Sequence, residues 1–160
     1  MDPKSSIFIY LDFDGVLHQD GEPAIDENGR LCKNPNLFCW LDDLQHVLND
    51  FEDVRIIVSS DWRRLFEDET LIRLLGNVGS RFSGVVECTN SERYVEILQD
   101  ASNRKIIYWL AIDDHESIEV AAPSDERLIF CRPDKGIGEL AKQEELKQKI
   151  RALQKKIQSP

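Results

Sequence analysis

Three apolar runs punctuate the chain: residues 7–11 (I-F-I-Y-L), 54–59 (V-R-I-I-V-S) and 106–112 (I-I-Y-W-L-A-I). A run that is apolar at nearly every position, rather than at alternate ones, is what a strand buried on both faces of a parallel sheet requires. Between the first two, Leu37, Trp40, Leu41, Leu44, Val47 and Leu48 recur at helical spacing behind Asn34-Pro35, a pair that suits an N-cap and first helical position. The crossover between those strands is then right-handed, and the strands lie parallel. Residues 66–75 have helix-forming composition with Gly76 as a stop. A further helix starts at Asn90 or Ser91, runs to about Gln99 and turns Tyr94, Ile97 and Leu98 inward. Shorter strands are expected over residues 85–88 and 127–131, and a last helix over 139–158, striped by Leu140, Ile150, Leu153 and Ile157. Strands alternating with helices predict one α/β domain over residues 1–160, a doubly wound and mostly parallel sheet. The polar stretch 18–33, with Asp26-Glu27-Asn28-Gly29 as turn chemistry, predicts a β-hairpin flap over the strand ends.

The polar residues that interrupt these runs carry the chemistry. Residues 7–11 end in Asp12-Phe13-Asp14-Gly15, residues 54–59 in Ser59-Ser60-Asp61-Trp62-Arg63, and residues 106–112 in Asp113-Asp114. Open α/β sheets place their ligands beyond the carboxyl ends of the strands. Side chains two apart on a strand share a face, so Asp12 and Asp14 are expected to face one small volume. Two carboxylates there repel unless a cation or a shared proton separates them.

The string I-Y-L-D-F-D-G-V-L resembles the first motif, D-x-D-G-[TV], of the haloacid dehalogenase-like (HAD) hydrolases. The resemblance implies a Rossmann-like HAD core of the small phosphatase type, with the flap in place of a separate cap domain. It implies a magnesium-dependent phosphatase in which Asp12 attacks phosphorus, forming an aspartyl-phosphate, and Asp14 is the general acid/base. Ser59 matches the second motif best, with Ser60 as the fallback, and the acidic pair Asp113-Asp114 matches the fourth. The third motif, a Lys or Arg, falls on Arg93 by its place in the order. Lys105, expected to begin a strand at the far end of the sheet, and Lys135, in the loop after the final strand, compete for that role. Asp12, Asp113 and the backbone carbonyl of Asp14 are the implied Mg2+ ligands, with Asp114 as an alternative ligand or one that supports them from behind. Gly15, Ser60, Arg63 and His18 are candidates for contacting phosphate or substrate. Arg63 is either a bidentate phosphate partner or a surface arginine, and His18 either a substrate contact or an exposed polar side chain. The fuller string S-S-x-W-R resembles a small cap-less HAD subgroup associated with nucleic-acid repair proteins.

Composition narrows the partners. The formal net charge is −10, and because residues 139–160 hold six Lys and Arg against three Glu, the preceding 138 residues carry −13. That balance disfavours sequence-independent binding to a nucleic-acid backbone, where basic groups must displace counterions. Part of the acidic excess is the carboxylate set a magnesium site needs. Apolar residues at 41% and charged residues at 31% fit an ordinary globular protein. No apolar run reaches membrane-spanning length, and the polar start M-D-P-K-S-S lacks signal-peptide character, so no membrane partner and a cytoplasmic location are expected. The four cysteines form no C-x-x-C pair and are expected to be reduced thiols. Two substrate classes stay open, a phosphorylated small molecule and a nucleic-acid terminal phosphate. So does a different class of protein, a phospho-ligand-binding or interaction module that keeps the fold without turnover.

Overall fold

The computed structural model describes residues 5–159; residues 1–4 of the polar start, and Pro160 at the other end of the expected domain, lie outside them. Among the described residues five strands form one sheet: β1 (Ile7–Leu11), β2 (Val54–Val58), β3 (Phe82–Val85), β4 (Tyr108–Asp113) and β5 (Leu128–Phe130). They lie in the order β3-β2-β1-β4-β5 and every neighbouring pair is parallel. The helices are α1 (Leu41–Leu48), α2 (Asp68–Leu74), α3 (Arg93–Arg104), α4 (Glu116–Ala121) and α5 (Leu140–Gln158).

The central strand shows why its run is apolar throughout. Ile7, Ile9 and Leu11 enter one core with Leu44 and Leu48 of α1, Leu71 of α2, and Leu146 and Ile150 of α5. Tyr10 enters the other with Ile97 and Ala101 of α3 and Ile118 of α4. Each fully buried aliphatic side chain contributes roughly 1.5–3 kcal/mol, so removing a helix from either face would expose a costly surface. With helices on both faces, the sheet is doubly wound.

The strand order decides where a ligand sits. From β1 the chain moves outward to β2 and β3, then returns to lay β4 on the opposite side of β1. The β1/β4 boundary is the topological switch point, where diverging connections leave a crevice. Asp12 follows β1 there and donates its backbone N–H to the Ile112 carbonyl at 3.1 Å.

Several elements depart from their sequence expectations. Helix α1 starts at Leu41 rather than behind Pro35, because Asn34 accepts the Asn36 N–H in a local turn and Phe38 stands at a φ of 60°, which no helix admits. The third strand lies at residues 82–85 rather than 85–88. Helix α3 runs past Gln99 to Arg104, and Lys105 closes it in the left-handed region instead of opening a strand. The flap region holds a single antiparallel bridge, Ile25 to Leu31, around a turn in which the Asp26 carboxylate accepts the N–H groups of Asn28 and Arg30. All four cysteines are free thiols. Among the described residues, no helix is long and apolar enough to cross a membrane.

Candidate active site

At the switch point, Asp12, Asp113 and Asp114 each bring a carboxylate oxygen to within 4.8 Å of the others. Asp12 is nearly buried and Asp113 fully so. Burial first, then the neighbouring Asp12 carboxylate, push Asp113 well above the usual carboxylate range, against the pull of Arg93 and the His115 N–H. Asp114 is pushed up to about 9, by burial first and then by Asp12. Three carboxylates are thus crowded until two of them favour protonation. Once ionised, these hard oxygens fit a hard divalent cation, whose charge would take the place of the protons. Gly15 makes the crowding feasible: at φ +77° a Cβ there would stand 2.0 Å from Asp114 Oδ2.

One guanidinium offsets part of this charge. Arg93, the first residue of α3, donates from one terminal nitrogen to Asp113 Oδ2 at 2.8 Å and stands 3.3 Å from Asp12 Oδ1. Its other terminal nitrogen reaches Asp61 Oδ1 at 3.5 Å. Burial opposes the charge on Arg93, but Asp113 and Asp12 more than compensate and its pKa is raised. Lys105 is exposed at the far end of α3, and Lys135 is exposed after β5, so Arg93 is the cation brought onto the two aspartates.

Asp14 stands apart from this cluster, partly open to solvent. His18 Nε2 lies 2.8 Å from its Oδ1, and the Trp62 indole N–H donates to its Oδ2 at 2.9 Å. Burial pushes its pKa up, but the hydrogen bonds from His18 and Trp62 outweigh this and hold it below the usual range. His18 is fully buried, not exposed as its polar surroundings in the sequence suggested.

The two serines after β2 differ. Ser60 Oγ accepts the Trp62 N–H at 3.2 Å and so caps a short 3-10 turn, Asp61–Arg64. Ser59 Oγ is buried and has no hydrogen-bond partner among the described residues. A buried hydroxyl without a partner costs roughly 1–3 kcal/mol, which is tolerable where a ligand supplies the missing bond.

Arg63 does not fit the bidentate phosphate role. Its Nε donates to the Val86 carbonyl at 2.8 Å, one terminal nitrogen to the Ser59 and Ser60 carbonyls at 2.7 and 3.0 Å, and the other to Glu96 at 3.2 Å. The side chain is wholly buried, so it is not a surface arginine either. It ties the β2 exit loop to α3, the helix that carries Arg93. Three participants lacked a role in the sequence reading: the Trp62 indole, Asp61 opposite Arg93, and the His115 N–H, which donates to Asp113 Oδ1 at 2.9 Å. Trp62 and Asp61 stood within S-S-D-W-R, but a string does not say which carboxylate a distant side chain meets.

The parallel sheet, with carboxylates at the ends of β1 and β4 and a serine at the end of β2, defines the HAD class of α/β protein. A family model described as the HAD domain in Swiss Army Knife RNA repair proteins matches residues 8–140, and the chain belongs to that family. Comparisons with curated proteins and with solved structures gave no match. Membership suggests a HAD-type phosphatase.

Proposed function

We propose that the protein is a magnesium-dependent phosphomonoesterase that works through an aspartyl-phosphate on Asp12. The observation that carries this reading is the convergence of Asp12, Asp113 and Asp114 around Arg93 at the switch point, with the unpartnered Ser59 hydroxyl at the adjoining strand end. Asp12, Asp113, Asp114 and the Asp14 carbonyl would hold magnesium, which neutralises phosphate charge and polarises the phosphoryl group. In the first step an Asp12 carboxylate oxygen bonds to phosphorus, the bond to the leaving oxygen breaks, and Asp14 delivers a proton to it. Against burial, the His18 and Trp62 hydrogen bonds hold the Asp14 pKa down and favour its ionised form, so the proton it delivers enters with the substrate phosphate, whose negative charge raises the proton affinity of the carboxylate beside it. In the second step Asp14 takes a proton from water, the water oxygen bonds to phosphorus, and the bond to Asp12 breaks. Arg93 and the Ser59 hydroxyl stabilise the phosphoryl oxygens in both steps, as donors fixed in advance of the reaction.

For the substrate, the family's link to RNA repair favours a phosphorylated RNA end over a small metabolite. The acidic surface argues against a long backbone footprint, so contact is confined to the terminal nucleotides. Phosphate release from a 3′- or 5′-phosphorylated oligonucleotide, a mononucleotide and a sugar phosphate, with magnesium and with chelator, tests both claims. Magnesium-dependent turnover highest on an oligonucleotide is expected. Turnover confined to the sugar phosphate would overturn the substrate, and ligand binding without any turnover would favour a non-catalytic module.

A further inference from the structure

The residues around Asp14 form a unit that the two-step chemistry does not by itself require. His18 is fully buried, and an imidazole leaves water without penalty only when its nitrogens are bonded. Nδ1 faces the Phe38 backbone N–H at 3.3 Å, and that nitrogen can only donate. Nδ1 is therefore the acceptor, the ring proton sits on Nε2, and it points at Asp14 Oδ1, 2.8 Å away. Phe38 holds this position in the left-handed region, at φ 60°, a conformation a bulky side chain adopts only under constraint. The strained backbone thus sits at the contact that selects the His18 tautomer.

On the other side the Trp62 indole takes Asp14 Oδ2. Both rings are wedged. His18 meets Phe38 edge-on, with centroids 5.2 Å apart, and tilts against Trp62 at 5.7 Å. Trp62 in turn meets Phe13 and Phe38 edge-on. Neither donor can swing away without displacing an aromatic neighbour, so both oxygens of Asp14 are fixed.

We propose that His18 and Trp62 are a two-point clamp that orients the Asp14 carboxylate for proton transfer, His18 serving as a positioning residue that acts through Asp14; this rests on the phosphatase reading above. A catalytic group displaced by about 1 Å can lose about 10²-fold in rate, so the clamp matters most where proton delivery limits the reaction. That is an ester with a poorly leaving alkoxide. An aryl ester with an acidic phenol departs with little help.

The test compares kcat/KM, which covers the steps through departure of the leaving group, for an alkyl phosphate and for p-nitrophenyl phosphate. His18→Leu and Trp62→Phe are expected to lower it about 10- to 100-fold for the alkyl ester and by a much smaller factor for the aryl ester. His18→Gln, whose amide N–H stands near the place of Nε2–H, should recover part of the alkyl-ester loss. Equal losses on both esters, or none, would overturn the clamp. Asp14→Asn separates the two readings: if it shows the ester-selective loss and the clamp variants do not, the positioning role fails alone. If Asp14→Asn treats both esters alike, its assignment as general acid fails. A long-range 1H–15N spectrum of the wild-type protein tests the clamp independently of turnover and of variant folding. It should show His18 protonated at Nε2, and protonation at Nδ1 would contradict the proposal.

Discussion

Replacing Arg63 with Met distinguishes a structural guanidinium from a substrate-binding one. The side chain is wholly buried and donates to the carbonyls of Ser59, Ser60 and Val86 and to Glu96. Methionine keeps the aliphatic volume, but three carbonyls lose a donor and the 4%-exposed Glu96 carboxylate loses its buried cation. Removing one partner of a buried ion pair typically costs about 3–5 kcal/mol, most of it from the charge left behind. Here the lower half of that range applies, because Glu96 Oε2 keeps the Thr89 N–H at 2.8 Å and the Thr89 hydroxyl at 3.1 Å. For a chain of this size each kcal/mol moves the melting temperature by roughly 2–4 °C, so Arg63→Met should melt about 6–16 °C below wild type. The added change Glu96→Gln removes the stranded charge and should recover part of the loss, a coupling of about 1–3 kcal/mol in a double-mutant cycle. Thermal and urea melts of the four proteins measure this directly. An Arg63→Met protein that melts with wild type yet binds phosphate esters weakly would refute the reasoning and restore the phosphate-binding role.

Arg93→Met should reduce kcat/KM for phosphate esters by about 10²- to 10³-fold, the usual cost of one preorganised donor to a developing charge, with Arg93→Lys in between by steady-state kinetics. Gly15→Ala forces a Cβ into Asp114 and places alanine at φ +77°, so the stabilisation of the melting temperature by magnesium should shrink, as read by titration under thermal melting. Asp125 predicts a response to acid. Its carboxylate is gripped by Arg127 at 2.8 Å through both oxygens and by the Tyr94 hydroxyl at 2.7 Å, and its pKa falls from the ordinary 3.8 to about 2, chiefly through Arg127. A depressed carboxyl stabilises the fold above its unfolded pKa and loses that contribution as pH falls through the folded one, so wild type should out-melt Asp125→Asn at about pH 6 and converge with it toward about pH 2. A gap that widens on acidification would show the sign to be wrong.

The central strands and the order of their polar ends were legible because burial on both faces leaves few residue types acceptable, and because a residue following such a strand is held at the sheet edge. Asp12, Asp113 and Ser59 are of this kind. The edge strand β3 was displaced because none of its residues is fully buried and F-S-G-V carries no continuous apolar signal. The late start of α1 depends on Phe38 at positive φ, which nothing in the side chain announces. Arg63 and His18 were misplaced for a common reason. Each finds partners far along the chain, Glu96 for the one and the Phe38 N–H for the other, and such contacts exist only after the elements have packed. A polar residue among polar neighbours reads as exposed until its partner is known.

The central claim is that Asp12 becomes covalently phosphorylated. Asp14→Asn offers the clearest view, because an aryl phosphate leaves without a proton donor while hydrolysis of the aspartyl-phosphate still lacks its base. The protein is mixed with p-nitrophenyl phosphate and magnesium, quenched in acid, digested and analysed by mass spectrometry. A phosphoryl group on the peptide containing Asp12, absent from the double variant with Asp12→Asn and absent with chelator, is the predicted result. Release of nitrophenol by Asp14→Asn with no phosphoryl adduct on Asp12, or with the adduct on another residue, would contradict the mechanism.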